Sequence, residues 1–263
     1  MSNSPDMVKE ILSPWPLIKQ VRDLSIISLQ GGQSLVIACD SGGAIGEKEL
    51  DEVKVPNYIL GRFITRVALL EVLAAGAIPV LVCDTLTVEM KPSGEEIIRG
   101  IKDELGQLAF ADKIHLNGTT EENMKTRQSG IGITIVGLAQ EGSLRLAKAQ
   151  AGDDILCFGY PKLGSEVKLD DPEIIDVSTV LSLLAYQEVR ELVPVGSKGI
   201  LYEAQALAET SGLKFVPEFT TTLPLEKSAG PATCLVAAVK PQLRAELEKN
   251  FSQPVTKVGS LQG

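Results

Sequence analysis

Residues 34–40, Ser-Leu-Val-Ile-Ala-Cys-Asp, run directly into residues 41–48, Ser-Gly-Gly-Ala-Ile-Gly-Glu-Lys, and this stretch decides the reading of the chain. A short, nearly continuous apolar run predicts a buried strand, and the acid that ends it emerges at a sheet edge, where open α/β sheets bind ligands. Glycines let a backbone approach an anion closely, and a lysine beside them could neutralise a phosphate. Asp40, Gly42, Gly43, Gly46 and Lys48 are therefore the first candidates for a phosphate-binding site. The Walker pattern is absent, and an ordinary turn fits the same residues.

Working outward, residues 24–29 predict another strand, with a hairpin-like break at Gln-Gly-Gly-Gln, 30–33. Residues 58–75 carry Ile59, Phe63, Val67, Leu70 and Ala74 at helical spacing, and Gly76 supplies the stop. A strand at 79–83, a helix from Pro92 to about Ala109, a strand at 113–116, a polar loop at 117–128 and a strand at 130–138 follow. Alternation of this kind predicts one sheet with packed helices. A boundary is expected within 141–152. Beyond it, strands are expected at 154–158, 213–216 and 233–239, and helices at 173–191, 199–211 and 241–250. The class is α/β (α+β), in two domains.

Two more carboxylates stand out. Glu71 lies in Val-Ala-Leu-Leu-Glu-Val-Leu-Ala-Ala, where a buried acid needs a partner or a metal, although a solvent-facing stripe would also accommodate it. Asp84 follows the strand at 79–83 as Asp40 follows its own. Asp40, Glu71 and Asp84 could converge on one divalent cation, and magnesium suits oxygen ligands and phosphates. Asn117-Gly118-Thr119-Thr120, with Glu121 and Glu122, supplies hydroxyls and acids, or simply a solvated loop. His115 is the single histidine, and no nucleophile elbow accompanies it, so chemistry here would run on carboxylates and metal.

Composition narrows the class. The 263 residues hold 34 Asp and Glu against 25 Lys and Arg, a net charge of −9, which disfavours a general nucleic-acid partner. It does not disfavour a metal-bridged nucleotide. No apolar run approaches the roughly 18 residues of a membrane span, and residues 1–14 do not read as a secretory leader. The cytoplasm is expected. Cys39, Cys83, Cys157 and Cys234 sit in apolar runs without a C-x-x-C pair and are expected to be buried, reduced thiols.

The ordered segments LVIACDSGG, VKVPNYILGRFITRVALLEVLAAGAIPVLVCDTL, HLNGTTEEN and GIGITIVGLA resemble the aminoimidazole ribonucleotide synthetase superfamily. Selenophosphate synthetase and thiamine-monophosphate kinase belong to the same group. AGDDILCFG, VGSKGILYEAQALAE and GPATCLVAAV resemble its second domain more loosely. The resemblance implies an amino-terminal sheet-and-helix ATP- and Mg²⁺-binding domain at 1–146, a carboxy-terminal α+β domain at 147–263, and a homodimer formed through the first domain. It implies that Asp40, Glu71 and Asp84 hold metal. The glycine loop with Lys48, together with residues Asn117, Gly118, Thr119 and Thr120, would contact ATP, and Asp40, Lys48 and Glu121 would serve catalysis.

There are departures. Leu70-Glu71 stands where the superfamily has Asn-Asp, and Thr119 stands where it has an acid or histidine. The Gly-Val-Gly-Thr-Lys loop of the synthetases and the paired aspartates of the thiamine-phosphate kinases are missing. CDSGGAIGEK, VKVP and TEEN look most like the α-ribazole kinase branch of cobalamin lower-ligand salvage. An ATP-dependent phosphotransferase acting on a small nucleoside-like molecule is the expectation. A synthetase that uses phosphate to activate a carbonyl oxygen, and a non-catalytic nucleotide-binding maturation protein, stay open.

Overall fold

A computed structural model describes residues 18–140 and 142–263. Residues 1–14, read above for a leader, and residue 141, at the start of the expected boundary, lie outside the described residues.

The chain opens with β1 (Ile18–Val21), β2 (Leu24–Ser28) and β3 (Gln33–Gly43), an antiparallel meander. The β2–β3 turn uses Gly31 and Gly32, both at positive φ, as the Gln-Gly-Gly-Gln break predicts. A two-strand ladder, β4 (Ile45–Gly46) with β5 (Val53–Lys54), leads into α1 (Asn57–Ala74). Then come β6 (Ile78–Leu86), a single wide turn at Met90–Gly94, α2 (Glu95–Leu105), β7 (His115–Thr119) and β8 (Gly130–Gln140). The first sheet has the order β1-β2-β3-β8-β6-β7, and among its pairs only β6–β7 is parallel.

Beyond it lie β9 (Asp154–Gly159), α3 (Val177–Leu184), β10 (Val189–Pro194), α4 (Gly199–Thr210), β11 (Lys214–Pro217), β12 (Cys234–Val239), α5 (Arg244–Asn250) and β13 (Val255–Gln262). They form an antiparallel sheet in the order β10-β12-β9-β13-β11. Its central strands β9 and β12 are buried along their whole length, which is how strands covered on both faces read. The architecture is mixed α+β.

Several elements differ from the sequence reading. Strand β3 continues through Asp40 to Gly43, because β8 pairs with it as far as Gly43↔Gly130, so the acid sits within a strand rather than after one. Strand β6 likewise runs past Asp84 to Leu86. Residues 117–119 belong to β7 rather than to a loop. The expected helix at 173–191 is only α3, capped at its start by Asp176, which accepts from the Thr179 amide. Residues 189–194 instead form β10, because β12, a partner distant in sequence, pairs with it antiparallel. Strands β1 and β13 were not foreseen.

One hydrophobic cluster unites the two sheets. Leu60, Ile64, Leu69 and Leu70 of α1 belong to it with Val36, Ile133 and Ile135 of the first sheet and Leu156, Phe158 and Leu235 of the second. A separate cluster joins the far side of the second sheet to α4. Two buried polar clasps also cross between the halves. Arg22 donates to Glu191 at 2.6 Å, and Arg66, bound to Glu104, also reaches the Ile175 carbonyl. Helix α1 is thus wedged between the sheets, and Leu60, Phe63, Ile64, Val67 and Glu71 face the gap that remains there.

Candidate active site

That gap is a cavity of about 580 Å³. Its apolar wall is Leu60, Phe63, Ile64 and Val67 of α1 with Ile45 and Val55. Its opposite wall is backbone-rich, from Pro194–Ser197 and Gly230–Ala232. Asp40 of β3 and Glu71 of α1 both line it, as does Asp23 from the β1–β2 turn. Asp40 reaches it because Ala38, Asp40 and Gly42 alternate onto the inner face of the sheet. Glu71 reaches it as the acid on an otherwise apolar helix.

The electrostatics follow from burial. Desolvation pushes the Asp40 carboxyl up to about 6, with a backbone hydrogen bond from Ser41 opposing. Burial pushes Glu71 up to about 8. Arg22 opposes that shift, and Asp23, Glu203 and Asp40 add to it. Glu203 of α4 rises to about 7 for the same first cause. Of these, Asp40 and Glu71 line the cleft, where carboxyls with little compensating cation would release this strain to a bound cation.

Among the described residues, no group of three or more His, Cys, Asp or Glu is close enough to enclose a metal ion. Magnesium does not require one. It is commonly held by one or two carboxylates, with phosphate oxygens and water completing its shell. Asp40 and Glu71, hard oxygen donors on one cavity and without hydrogen-bonded cations among the described residues, fit that donor set.

The remaining candidates form a second group. Lys48 does not line the cavity; its ammonium is hydrogen-bonded to Glu89, which also accepts from Ser93 at 2.6 Å. Burial raises the Glu89 carboxyl, but these bonds outweigh it and hold it below its ordinary value. Asn117, Gly118 and Thr119 are exposed on the edge strand β7. Glu122 ties Thr120 to the Met90 amide, both at 2.8 Å. Glu121 accepts from the Asn123 and Met124 amides, so it caps a surface turn. Lys48 and Thr120 are thus gathered around the turn at Met90–Gly94.

Asp84 belongs to neither wall. It is 3 % exposed, and burial raises it to about 6. Its carboxylate occupies the space above Gly118, where a Cβ would stand 2.2 Å from it. The loop glycines divide similarly. Gly46, at φ +144, is packed against Ser129, Asp51 and Asn57, and Gly42 lies on Ile64, whereas Gly43 is open. Of the four cysteines, Cys157 and Cys234 are buried as expected. Cys39 is exposed and Cys83 partly so, because strand alternation turns both to the outer face of the first sheet. Sequence reading missed Asp23, Glu203 and Gly196–Ser197. Glu203 carried the same signal as Glu71, an acid within an apolar helix.

No protein-family model matches the chain, and no curated protein matches it. Solved structures do. Thiamine-monophosphate kinase from Stenotrophomonas maltophilia superposes with a TM-score of 0.62 at 16% identity, over 97% of this chain and 91% of that one. The Aquifex aeolicus thiamine monophosphate kinase gives 0.62 at 15%, over 98% and 93%. Thermotoga maritima PurL complexed with ATP gives 0.63 at 16%; it covers 94% of this chain, which spans less than half of that larger protein (43%). The chain therefore has the fold shared by these thiamine-monophosphate kinases and PurL.

Proposed function

We propose that this chain is an ATP- and Mg²⁺-dependent phosphotransferase acting on a small nucleoside-like hydroxyl compound, with α-ribazole as the first acceptor to test. The observation that carries the reading is the pairing of Asp40 and Glu71, two burial-strained carboxylates without hydrogen-bonded cations among the described residues, on one cavity between the sheets. ATP is the donor on this reading because solved structures of this fold include PurL complexed with ATP and a ThiL protein complexed with AMPPCP and TMP.

Phosphoryl transfer needs positioning and charge neutralisation more than covalent help. Magnesium, when bound, would neutralise the phosphates. The chain's part is to hold that ion with Asp40 and Glu71, to admit phosphate oxygens beside the open backbone of Gly43, and to exclude water with Phe63, Ile64 and Val67. The catalytic part of Asp40 on this reading is that ligation. Lys48 and Thr120, beside the turn at Met90–Gly94, and Asn117, Gly118 and Thr119 on β7 would contact the nucleotide. Asp84 and Glu121, placed away from the cavity wall, would join the site only on rearrangement.

The domain division at 146/147, a homodimer through the first sheet and a cytoplasmic location are part of the same proposal. The homodimer is supported by the outer face of that sheet, where Leu35, Ile37, Val136 and Leu138 are only partly covered and Ile78 is 58 % exposed. No helix among the described residues is long and apolar enough to cross a membrane.

The deciding experiment measures ATP consumption with Mg²⁺ against a panel of nucleosides that includes α-ribazole, with product masses read in parallel. A phosphorylated acceptor with ADP supports the proposal. Stoichiometric inorganic phosphate with a dehydrated or ring-closed product would favour a synthetase instead. Tight ATP binding with no ADP formed against any acceptor would favour the non-catalytic reading.

A further inference from the structure

A second cavity, of about 420 Å³, lies in the carboxy-terminal half between the first turns of α3 and the turn that follows α5. It shares no lining residue with the cleft of Asp40 and Glu71. Its chemistry is of a different kind, because among the described residues no Lys, Arg or His lines it and its one carboxylate is half committed. Asp176 Oδ1 accepts both the Thr179 amide and the Thr179 hydroxyl at 2.8 Å, which fixes the group and leaves Oδ2 free.

The other polar groups are neutral, and two are pre-oriented. The Asn250 amide donates to the Tyr186 oxygen at 3.1 Å, so Asn250 Oδ1 remains an acceptor and the Tyr186 hydroxyl keeps its own proton to donate. Ser182 adds a hydroxyl that can donate or accept. Phe251 supplies the one aromatic surface besides Tyr186. Its ring is held edge-on against Phe158, at 5.2 Å between centroids and 73° between planes.

This set discriminates among ligand classes. An anion finds no cation. A cation finds a single carboxylate already bonded on one oxygen. An apolar molecule would leave hydroxyls and amides without partners on desolvation. A neutral polyhydroxylated ring satisfies the donors and acceptors with its hydroxyls and covers Phe251 with its C–H face. We propose that this cavity is a binding site for a neutral sugar of monosaccharide size, separate from the nucleotide cleft, with Asp176, Tyr186, Asn250 and Ser182 reading hydroxyls and Phe251 packing the ring.

The test is saturation-transfer NMR on the full chain with D-ribose at about 50 mM, well above a millimolar dissociation constant. Tetrahydropyran, which has a ring but no hydroxyl, is the paired control. The proposal expects transfer to the ribose C–H protons, at least severalfold less for tetrahydropyran, and at least severalfold loss in both Ser182→Trp and Asn250→Leu. Both positions are exposed, so the fold tolerates either change; should one variant fail to fold, the other still reads the site. Absence of transfer, transfer unchanged in a folded variant, or equal transfer to tetrahydropyran would overturn it.

Discussion

Asp40 and Asp84 stand on either side of the same residue: both pair with Ile133, one across β3–β8 and the other across β6–β8. Residues aligned across neighbouring strands project to the same face, so the two carboxylates share the inner face of the sheet with an isoleucine between them. Two strand spacings put their Cα atoms about 9–10 Å apart. Asp40 opens onto the cavity, whereas Asp84 is sealed above Gly118. Two acids with the same strand position therefore have different environments, and their substitutions should separate.

Asp40→Asn should lower ATP turnover by about a hundredfold or more, with a melting temperature within a few degrees of the parent. Asp84→Asn should act mainly on stability. Its carboxyl is raised to about 6 in the fold from an ordinary 3.8, so the parent loses stability as pH rises between those values, and the amide removes that loss. Turnover assays and denaturant melts at pH 4 and 8 decide the matter. Unchanged turnover in Asp40→Asn removes Asp40 from the mechanism.

Glu71 gives the steepest pH dependence. Burial raises it to about 8 in the fold from an ordinary 4.5, so the folded chain holds an extra proton between those values. Its contribution is best below 4.5 and is progressively lost as pH rises toward 8. Glu71→Gln should flatten this slope and recover on the order of 3–5 kcal/mol at pH 9 in magnesium-free buffer. Urea melts across this range check the sign, and parallel slopes for parent and variant would rule it out.

What the sequence disclosed follows physical lines. Long periodic segments such as α1 and β8 were readable because their burial pattern repeats along the chain. Strand ends were not, because β3 and β6 are extended past Asp40 and Asp84 by pairing with β8, a partner distant in sequence. Asp40 and Glu71 were found as acids in apolar surroundings. Asp23 was invisible, since a turn acid becomes a cavity wall only when α1 and β3 come together beside it. The separation of Lys48 from Asp40 was equally hidden, because Glu89, which binds the lysine, lies 41 residues away.

The outer face of the first sheet tests self-association. On it, Cys39 and Cys83 flank Thr134 from neighbouring strands, with Cys39 Sγ 3.3 Å from the Thr134 hydroxyl. If two copies pack through this face, Cys39 should react slowly with a thiol reagent in the parent and several times faster in Ile37→Glu, which should also sediment as a monomer. A parent that sediments as a monomer with a fully reactive Cys39 refutes the association.

Glu191 should be the most sensitive polar position between the halves. Its carboxylate is fully buried and accepts from Arg22 and from the amides of residues 147, 148 and 149. Glu191→Ala leaves the Arg22 guanidinium and those amides without their acceptor, so a loss of about 3–5 kcal/mol is expected. Arg22→Met should cost less, because Glu191 keeps its three amide donors. Equilibrium unfolding of the two variants checks the order, and equal losses would contradict it.

Gly118 and Asp84 should be coupled strongly enough for a double-mutant cycle to show it. A Cβ at position 118 would lie 2.2 Å from Asp84 Oδ1 and 2.3 Å from Oδ2, closer than non-bonded atoms approach. In Gly118→Ala the buried carboxylate must therefore move, at a cost of about 1–3 kcal/mol. In an Asp84→Ala background the obstructing atoms are gone, and the added methyl fills the space they leave. The cost of Gly118→Ala should then shrink toward zero, giving a coupling of about 1 kcal/mol or more. Stability measured at pH 7 for the four proteins supplies the coupling. Additive effects would mean that Asp84 does not rest over β7 and is not held apart from the cavity carboxylates by that strand.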